Sequence, residues 1–142
     1  MQSSVMRTLG LDIGSVRIGV AISDDRGRLA LPLQTVDARP RTQAIAALAS
    51  LIDEHGIEDV VVGWPIELDG RAGHAVRKTQ RLVDALTAAT DVAIHRWDER
   101  LTSVAAARAL VGGDVRRRRR KEVIDQVAAS LILQGWLDAR AR

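Results

Sequence analysis

The sequence predicts an α/β fold: one five-stranded mixed sheet, a three-strand antiparallel meander plus two parallel strands, flanked by helices. Two observations carry this expectation. Residues 8–36 alternate bulky apolar positions with small or polar ones at a period of two, broken by short turns. From Thr42 the period lengthens to that of a helix, and helical and strand-like segments then take turns along the rest of the chain.

Each element has its own local reason. In Thr8 to Ile13, Leu9, Leu11 and Ile13 form one face and Gly10 and Asp12 the other; Arg17 to Ser23 repeats the pattern, with Ile18, Val20 and Ile22 opposite Gly19, Ala21 and Ser23. The short Gly14, Ser15, Val16 connection predicts an antiparallel hairpin. Asp24 to Gly27 is a second turn, and Leu29 to Val36 a third strand that Pro32 restricts to an edge or bulged position. Ile45, Leu48, Ala49 and Ile52 mark a first helix, stopped at Gly56. Val60, Val61 and Val62 are continuously apolar, as in a strand covered on both faces. Gly63 to Gly73 reads as a loop rich in breakers, and a second helix runs from about His74 to Thr90, with Val76, Val83 and Leu86 inward. Val92 to Trp97 is the fifth strand; Thr102 would cap a short alanine-rich helix ending at Gly112 and Gly113, and a final helix runs from Glu122 to about Ala139.

The 142 residues fit one domain, 1–142, with roughly 70% of the unfolded surface available for burial. There is no cysteine, which excludes disulfides and thiolate zinc sites, and no segment approaches the ~20 apolar residues of a membrane helix, so a cytoplasmic protein is expected. Trp64, Trp97 and Trp136 are the only aromatic residues, which argues against a base-stacking surface. The net charge of +3 is uneven: Arg116, Arg117, Arg118, Arg119, Arg120 and Lys121 carry six positive charges and leave the rest of the chain at −3.

Three carboxylates stand out. Asp12 sits on the small face of its strand, where a lone charge is costly without a partner, although a role confined to the Gly14 turn would also account for it. Asp98 and Glu99 close the fifth strand, at the end of a parallel pair where α/β sheets collect their chemistry; a surface ion pair with Arg100 is the plain alternative. Asp125 shares a largely apolar helix face with Ala128, Ala129, Ile132 and Trp136, so the acid turns inward; its expected place in the first helical turn would itself favour an acid. If the three meet, with only His95 close in sequence to any of them, the site is built mainly of oxygen ligands and suits Mg²⁺ or Mn²⁺ rather than zinc.

Four ordered motifs, "LDIGSVRIGVAIS", "VVVGWPIELDG", "WDERLTSVAA" and "IDQVAASLILQGWL", resemble the YqgF family of small bacterial pre-16S ribosomal RNA nucleases and Holliday-junction-resolvase-like proteins, and span nearly the whole chain. The resemblance implies an RNase H-like fold and an acidic triad of Asp12, Glu99 and Asp125 as catalytic and metal-binding residues, with Asp98 as the substitute for Glu99. Gly63, Trp64 and Pro65 stand where the family usually has G-L-P, Trp136 where it commonly has Tyr, and Val123 where it often has a basic residue.

The same resemblance implies metal-dependent phosphodiester hydrolysis, with two Mg²⁺ or Mn²⁺ ions roughly 3.5 to 4 Å apart activating water and stabilising the leaving oxygen. The products would be a 5′-phosphate and a 3′-hydroxyl. Arg100 and the Arg116, Arg117, Arg118, Arg119, Arg120, Lys121 run are the expected nucleic-acid contacts. His74, Arg77, Lys78 and Arg81 share one helix face, either as a further basic stripe or, slightly favoured, as an ordinary solvated surface. The expected substrate is structured RNA, above all the ends of pre-16S rRNA, or branched DNA; cutting a junction symmetrically would require a homodimer. Two other readings remain: a nucleotide-binding domain built on the D-I-G-S loop, disfavoured because such enzymes close two domains on the nucleotide, and a non-catalytic nucleic-acid-binding or transcription-associated module.

Overall fold

The computed structural model describes residues 7–65, 73–101 and 117–141. Its elements are β1 (Arg7–Ile13), β2 (Arg17–Ser23), β3 (Ala30–Asp37), α1 (Arg41–His55), β4 (Ile57–Trp64), α2 (His74–Ala89), β5 (Ala93–Asp98), a single 3₁₀ turn (Glu99–Leu101) and α3 (Arg117–Arg140). The strands lie in the order β3-β2-β1-β4-β5. β1–β2 and β2–β3 are antiparallel, and β1–β4 and β4–β5 are parallel, as the alternation and the connection lengths predict.

The period-two pattern sorts the strand side chains onto two cores. Leu9, Leu11, Ile18, Val20, Val60, Val62 and Trp64 face α1 and α2, where they meet Leu48, Ile52, Leu82, Val83 and Leu86. On the other face Ala21 and Val61 meet Ala128, Ala129, Ile132, Leu133 and Leu137 of α3, with Trp97 and Trp136 against them. Helix α1 ends at Gly56, whose left-handed φ of 63° supplies the expected stop. Pro32 lies on the edge strand β3, and the β2–β3 register shifts between Val20 and Ala21, opposite it; a residue with no N–H is accommodated where a ladder bond is dispensable.

Two elements differ from the sequence reading by more than a residue, and β4 begins at Ile57, ahead of Val60. Gly63 and Trp64 complete β4 rather than opening a loop. Helix α3 begins at Arg117, five residues before the expected Glu122, and takes in the arginine run up to Lys121. Arginine and lysine are strong helix formers, and a run of like charges weakens a helix by less than it obscures its apolar period. Asp125 therefore lies more than two turns inside α3 rather than in its first turn, and the helix dipole does not account for its position. The alanine-rich segment from Thr102 to Gly113 and Arg116 lie outside the described residues.

Helix α3 is held in register by Gln134. Its side-chain oxygen accepts the Ala30 N–H at 2.9 Å and its amide donates to the Arg28 carbonyl at 2.8 Å, fastening the helix to the start of β3.

Candidate functional site

The small face of the sheet is where α3 touches down. A Cβ on Gly10 would stand 2.7 Å from Leu133 Cβ and 2.9 Å from the Ala129 carbonyl oxygen; one on Gly19 would overlap the carbonyl group of Asp125, with the Asp125 Cα at 3.1 Å. A Cβ on Gly63 would run into the Ile132 side chain and lie 3.2 Å from Glu99 Oε1. The glycines of β1, β2 and β4 thus form a bed for a helix backbone, and α3 crosses it from Asp125 over β2 to Gly135 beside Trp97 of β5. At the far end of this crossing a Cβ on Gly135 would stand 3.0 Å from Trp97 Nε1, a buried donor with no partner among the described residues.

That bed also positions the acids. Asp12 is 4% exposed, near the end of β1, and sits directly across the ladder from Gly19, so roughly 5 Å of backbone separates it from the glycine that Asp125 covers. Asp98 pairs with Trp64 at the end of β5, and alternation turns it toward the face of Trp64 and α2. Glu99, one residue on, turns to the α3 face, against the open side of Gly63. Asp12, Glu99 and Asp125, from three separate elements, therefore share one face at one end of the sheet, beyond the carboxyl ends of β1, β4 and β5. The small residues around Asp12 do not leave that face open; the helix carrying Asp125 fills it.

Arg17 is the partner that sequence reasoning missed. Its Nε donates to Asp125 Oδ2 at 2.9 Å, with the two side chains 21% and 20% exposed. The signal was its place at the head of β2, three residues after Gly14, but the partner lies 108 residues away and only the packing of α3 reveals it. Asp12, Asp98 and Glu99 make further interactions of their own.

The donor set is entirely carboxylate oxygen, which fits a hard divalent cation. Among the described residues, however, no three His, Asp or Glu side chains come together as a ready metal cage. The Arg100 side chain and those of Arg116 to Arg120 lie outside the described atoms; Lys121 is exposed on α3. A larger cavity of about 690 Å³, lined by Asp53, Glu58, Asp59 and Asp91, sits at the other end of the sheet, where β4 and β5 begin, away from these acids.

A family model described as "RuvX: Holliday junction resolvase" matches residues 6–139. The chain belongs to the RuvX family. RuvX proteins are a family of nucleases, hydrolases of phosphodiester bonds, and this is the family to which the four ordered motifs pointed. A Chloroflexus aggregans relative named "Putative pre-16S rRNA nuclease" is 52% identical over 132 residues, 93% of each chain. A Myxococcus xanthus relative of the same name is 48% identical over 134 residues, 94% of this chain and 89% of that one. Among solved structures, Thermus thermophilus RuvC in complex with a Holliday junction substrate superposes with a TM-score of 0.61 over 96% of both chains, at 16% identity. That likeness establishes the RNase H-like fold of this RuvX chain and nothing further. No helix among the described residues is long and apolar enough to cross a membrane.

Proposed function

We propose that the protein is a metal-dependent endonuclease, one domain acting in the cytoplasm, that hydrolyses phosphodiester bonds at the ends of pre-16S rRNA, with Asp12, Glu99 and Asp125 as its catalytic carboxylates. The observation that carries this reading is the common face of the three acids at the carboxyl end of the parallel strands, in a chain whose relatives bear that nuclease name.

In this reading the three carboxylates hold Mg²⁺ or Mn²⁺, which when bound supplies the lowered pKa of the attacking water and the charge that stabilises the leaving oxygen. Asp12, buried on a central strand, is the rigid member of the set. Asp125 is carried by a helix seated on glycines, and Arg17 fixes the orientation of its carboxylate. Glu99 comes directly after β5, and its position against Gly63 keeps it on the face that Asp98 leaves. Arg17 would also offset part of the repulsion between an acidic pocket and an incoming phosphate. Arg100 and the Arg116 to Lys121 run provide the remaining attraction, as sequence-independent backbone contacts.

The test is cleavage of a precursor-like structured RNA and of a four-way DNA junction by the purified protein, with Mn²⁺ and with chelator, for the native chain and Asp125→Asn. Cleavage of the RNA that requires the metal and is lost in Asp125→Asn is expected; cleavage at the native rate by Asp125→Asn would overturn the assignment. A second reading, junction resolution by a homodimer, is favoured by the description of the matching family model. It predicts paired cuts in the junction and a dimer in solution. Binding without cleavage of either substrate would leave the non-catalytic module.

A further inference from the structure

On the opposite face of the sheet from α3, at the same end, lies a cavity of about 320 Å³ lined by Ile13, Gly14, Ser15, Ala38 and Leu82 together with Arg39, Arg41, His74, Lys78 and Arg81. Three of these basic groups come from the α2 face that the sequence left as a solvated stripe; the other two flank the start of α1. Among the described residues no acidic side chain lines the cavity, and none of the five makes an ion pair with a carboxylate. Both helices begin beside it, at Arg41 and His74, without a side-chain cap and without an acid in the first turn. Each contributes the positive end of its dipole to a space already surrounded by cations. Lys78 Nζ donates to Ser15 Oγ at 3.1 Å, tying the cationic helix to the turn that begins only two residues after Asp12. Packing like charges around a cavity at two helix starts raises the energy of the empty protein, and a bound anion offsets that repulsion by attracting each cation and both helix starts.

We propose that this cavity seats a backbone phosphate of the nucleic-acid strand, flanking the phosphate that meets Asp12 on the other face. The inference rests on the nuclease reading for the identity of the anion. A strand laid across the carboxyl end of the sheet passes from the carboxylates of the α3 face, over the Gly14–Ser15 turn, to the cations of the α1 and α2 face. The turn is tight there: the Gly14 N–H donates to the Arg17 carbonyl at 2.9 Å, and a Cβ on Gly14 would stand 2.7 Å from that oxygen. It presents little obstacle to a chain crossing it. The cavity is large enough to hold a phosphate with its attached sugar.

The experiment is fluorescence-anisotropy binding of a labelled structured RNA to the full chain in chelator, so that no cleavage intervenes, across a salt series. It compares the native protein with Arg41→Gln/Arg81→Gln and with Lys78→Gln. The double variant is expected to bind roughly tenfold more weakly at low salt and to lower the slope of log K against log salt by about 1, with no fall in Tm. Lys78→Gln should show a smaller change in the same direction. Native affinity and salt slope in the double variant would overturn the inference, and so would a loss of binding explained by a lower Tm. A mononucleotide that saturates the site and stabilises the native chain without displacing the RNA would reassign the cavity to a free nucleotide and equally overturn it. The two readings separate cleanly: native-rate cleavage by Asp125→Asn removes the nuclease assignment while leaving the binding result intact, whereas unaltered binding by the double variant removes only the phosphate site.

Discussion

Replacing Gly19 by alanine tests how the site is assembled without touching an acid. The new methyl group would overlap the carbonyl carbon and oxygen of Asp125, with the Asp125 Cα at 3.1 Å, and these are backbone atoms that cannot rotate aside. Ordinary contact between such atoms begins near 3.5 Å, so α3 must retreat by roughly 1 Å or more at Asp125. At Gly10 the closest approaches are 2.7 Å to Leu133 and 2.9 Å to Ala129, and the retreat required is about 0.5 to 0.8 Å, about one to two turns farther from Asp125. Overpacking of this kind costs about 1 to 3 kcal/mol, or roughly 4 to 12 °C in Tm for a chain of this length. A displacement of about 1 Å at a catalytic carboxylate costs about a hundredfold in rate. The expected order of residual cleavage is therefore native, then Gly10→Ala, then Gly19→Ala. Gly27→Ala is the control: its φ of 68° makes alanine strained, but nothing lies within 4 Å, so it should lower Tm while cleavage persists. Thermal unfolding and initial rates of RNA cleavage with Mn²⁺ added, measured on the same preparations, provide both readouts. Native activity in Gly19→Ala, or an equal loss in Gly27→Ala, would refute the claim that the glycine bed sets the position of Asp125.

Single contacts yield further expectations. Arg17→Ala should destabilise the fold by about 1 to 2 kcal/mol and reduce cleavage, Arg17→Lys should restore only part of both, and a double-mutant cycle with Asp125→Asn in urea unfolding should show strong coupling. Glu99→Asp should lower activity more than Gly63→Ala does, because it withdraws the carboxylate by a whole methylene, whereas a Cβ on Gly63 asks Glu99 Oε1, 3.2 Å away, for only a small shift; initial cleavage rates of the two variants check the order. The Asp24 carboxyl accepts the Arg28 and Leu29 N–H groups at 2.8 Å and 3.2 Å, which hold it below the ordinary carboxylate range. A lowered folded-state pKa means that the turn is fully stabilised above the unfolded pKa of about 3.9, and the contribution disappears as pH falls through the folded value. The difference in urea midpoint between the native chain and Asp24→Ala should therefore be present at neutral pH and shrink in strong acid.

The division of labour between sequence and tertiary structure is visible in particular residues. Periodicity alone located β1, β2, α1 and α2 nearly to the residue and predicted the mixed sheet, because a strand or helix exposing its apolar face to water cannot persist, and the pattern that prevents this is written locally. Gly56 and Pro32 were likewise legible, since each acts through its own backbone. The start of α3 was not legible, because an arginine run carries no apolar period even where it is helical. Asp12, Glu99 and Asp125 could be nominated from their local settings and from the order of four motifs, but their common face could not. That face depends on Gly10, Gly19 and Gly63, three residues far apart in sequence that become one surface only when β2, β1 and β4 pair and α3 settles on them. The Arg17 contact to Asp125 and the ring of five basic side chains at the Gly14–Ser15 turn belong to the same class. The sequence by itself determined which elements form and which acids would be costly to bury. Only the tertiary structure decided what stands beside those acids, because proximity between distant segments is set by packing and leaves no local trace in the chain.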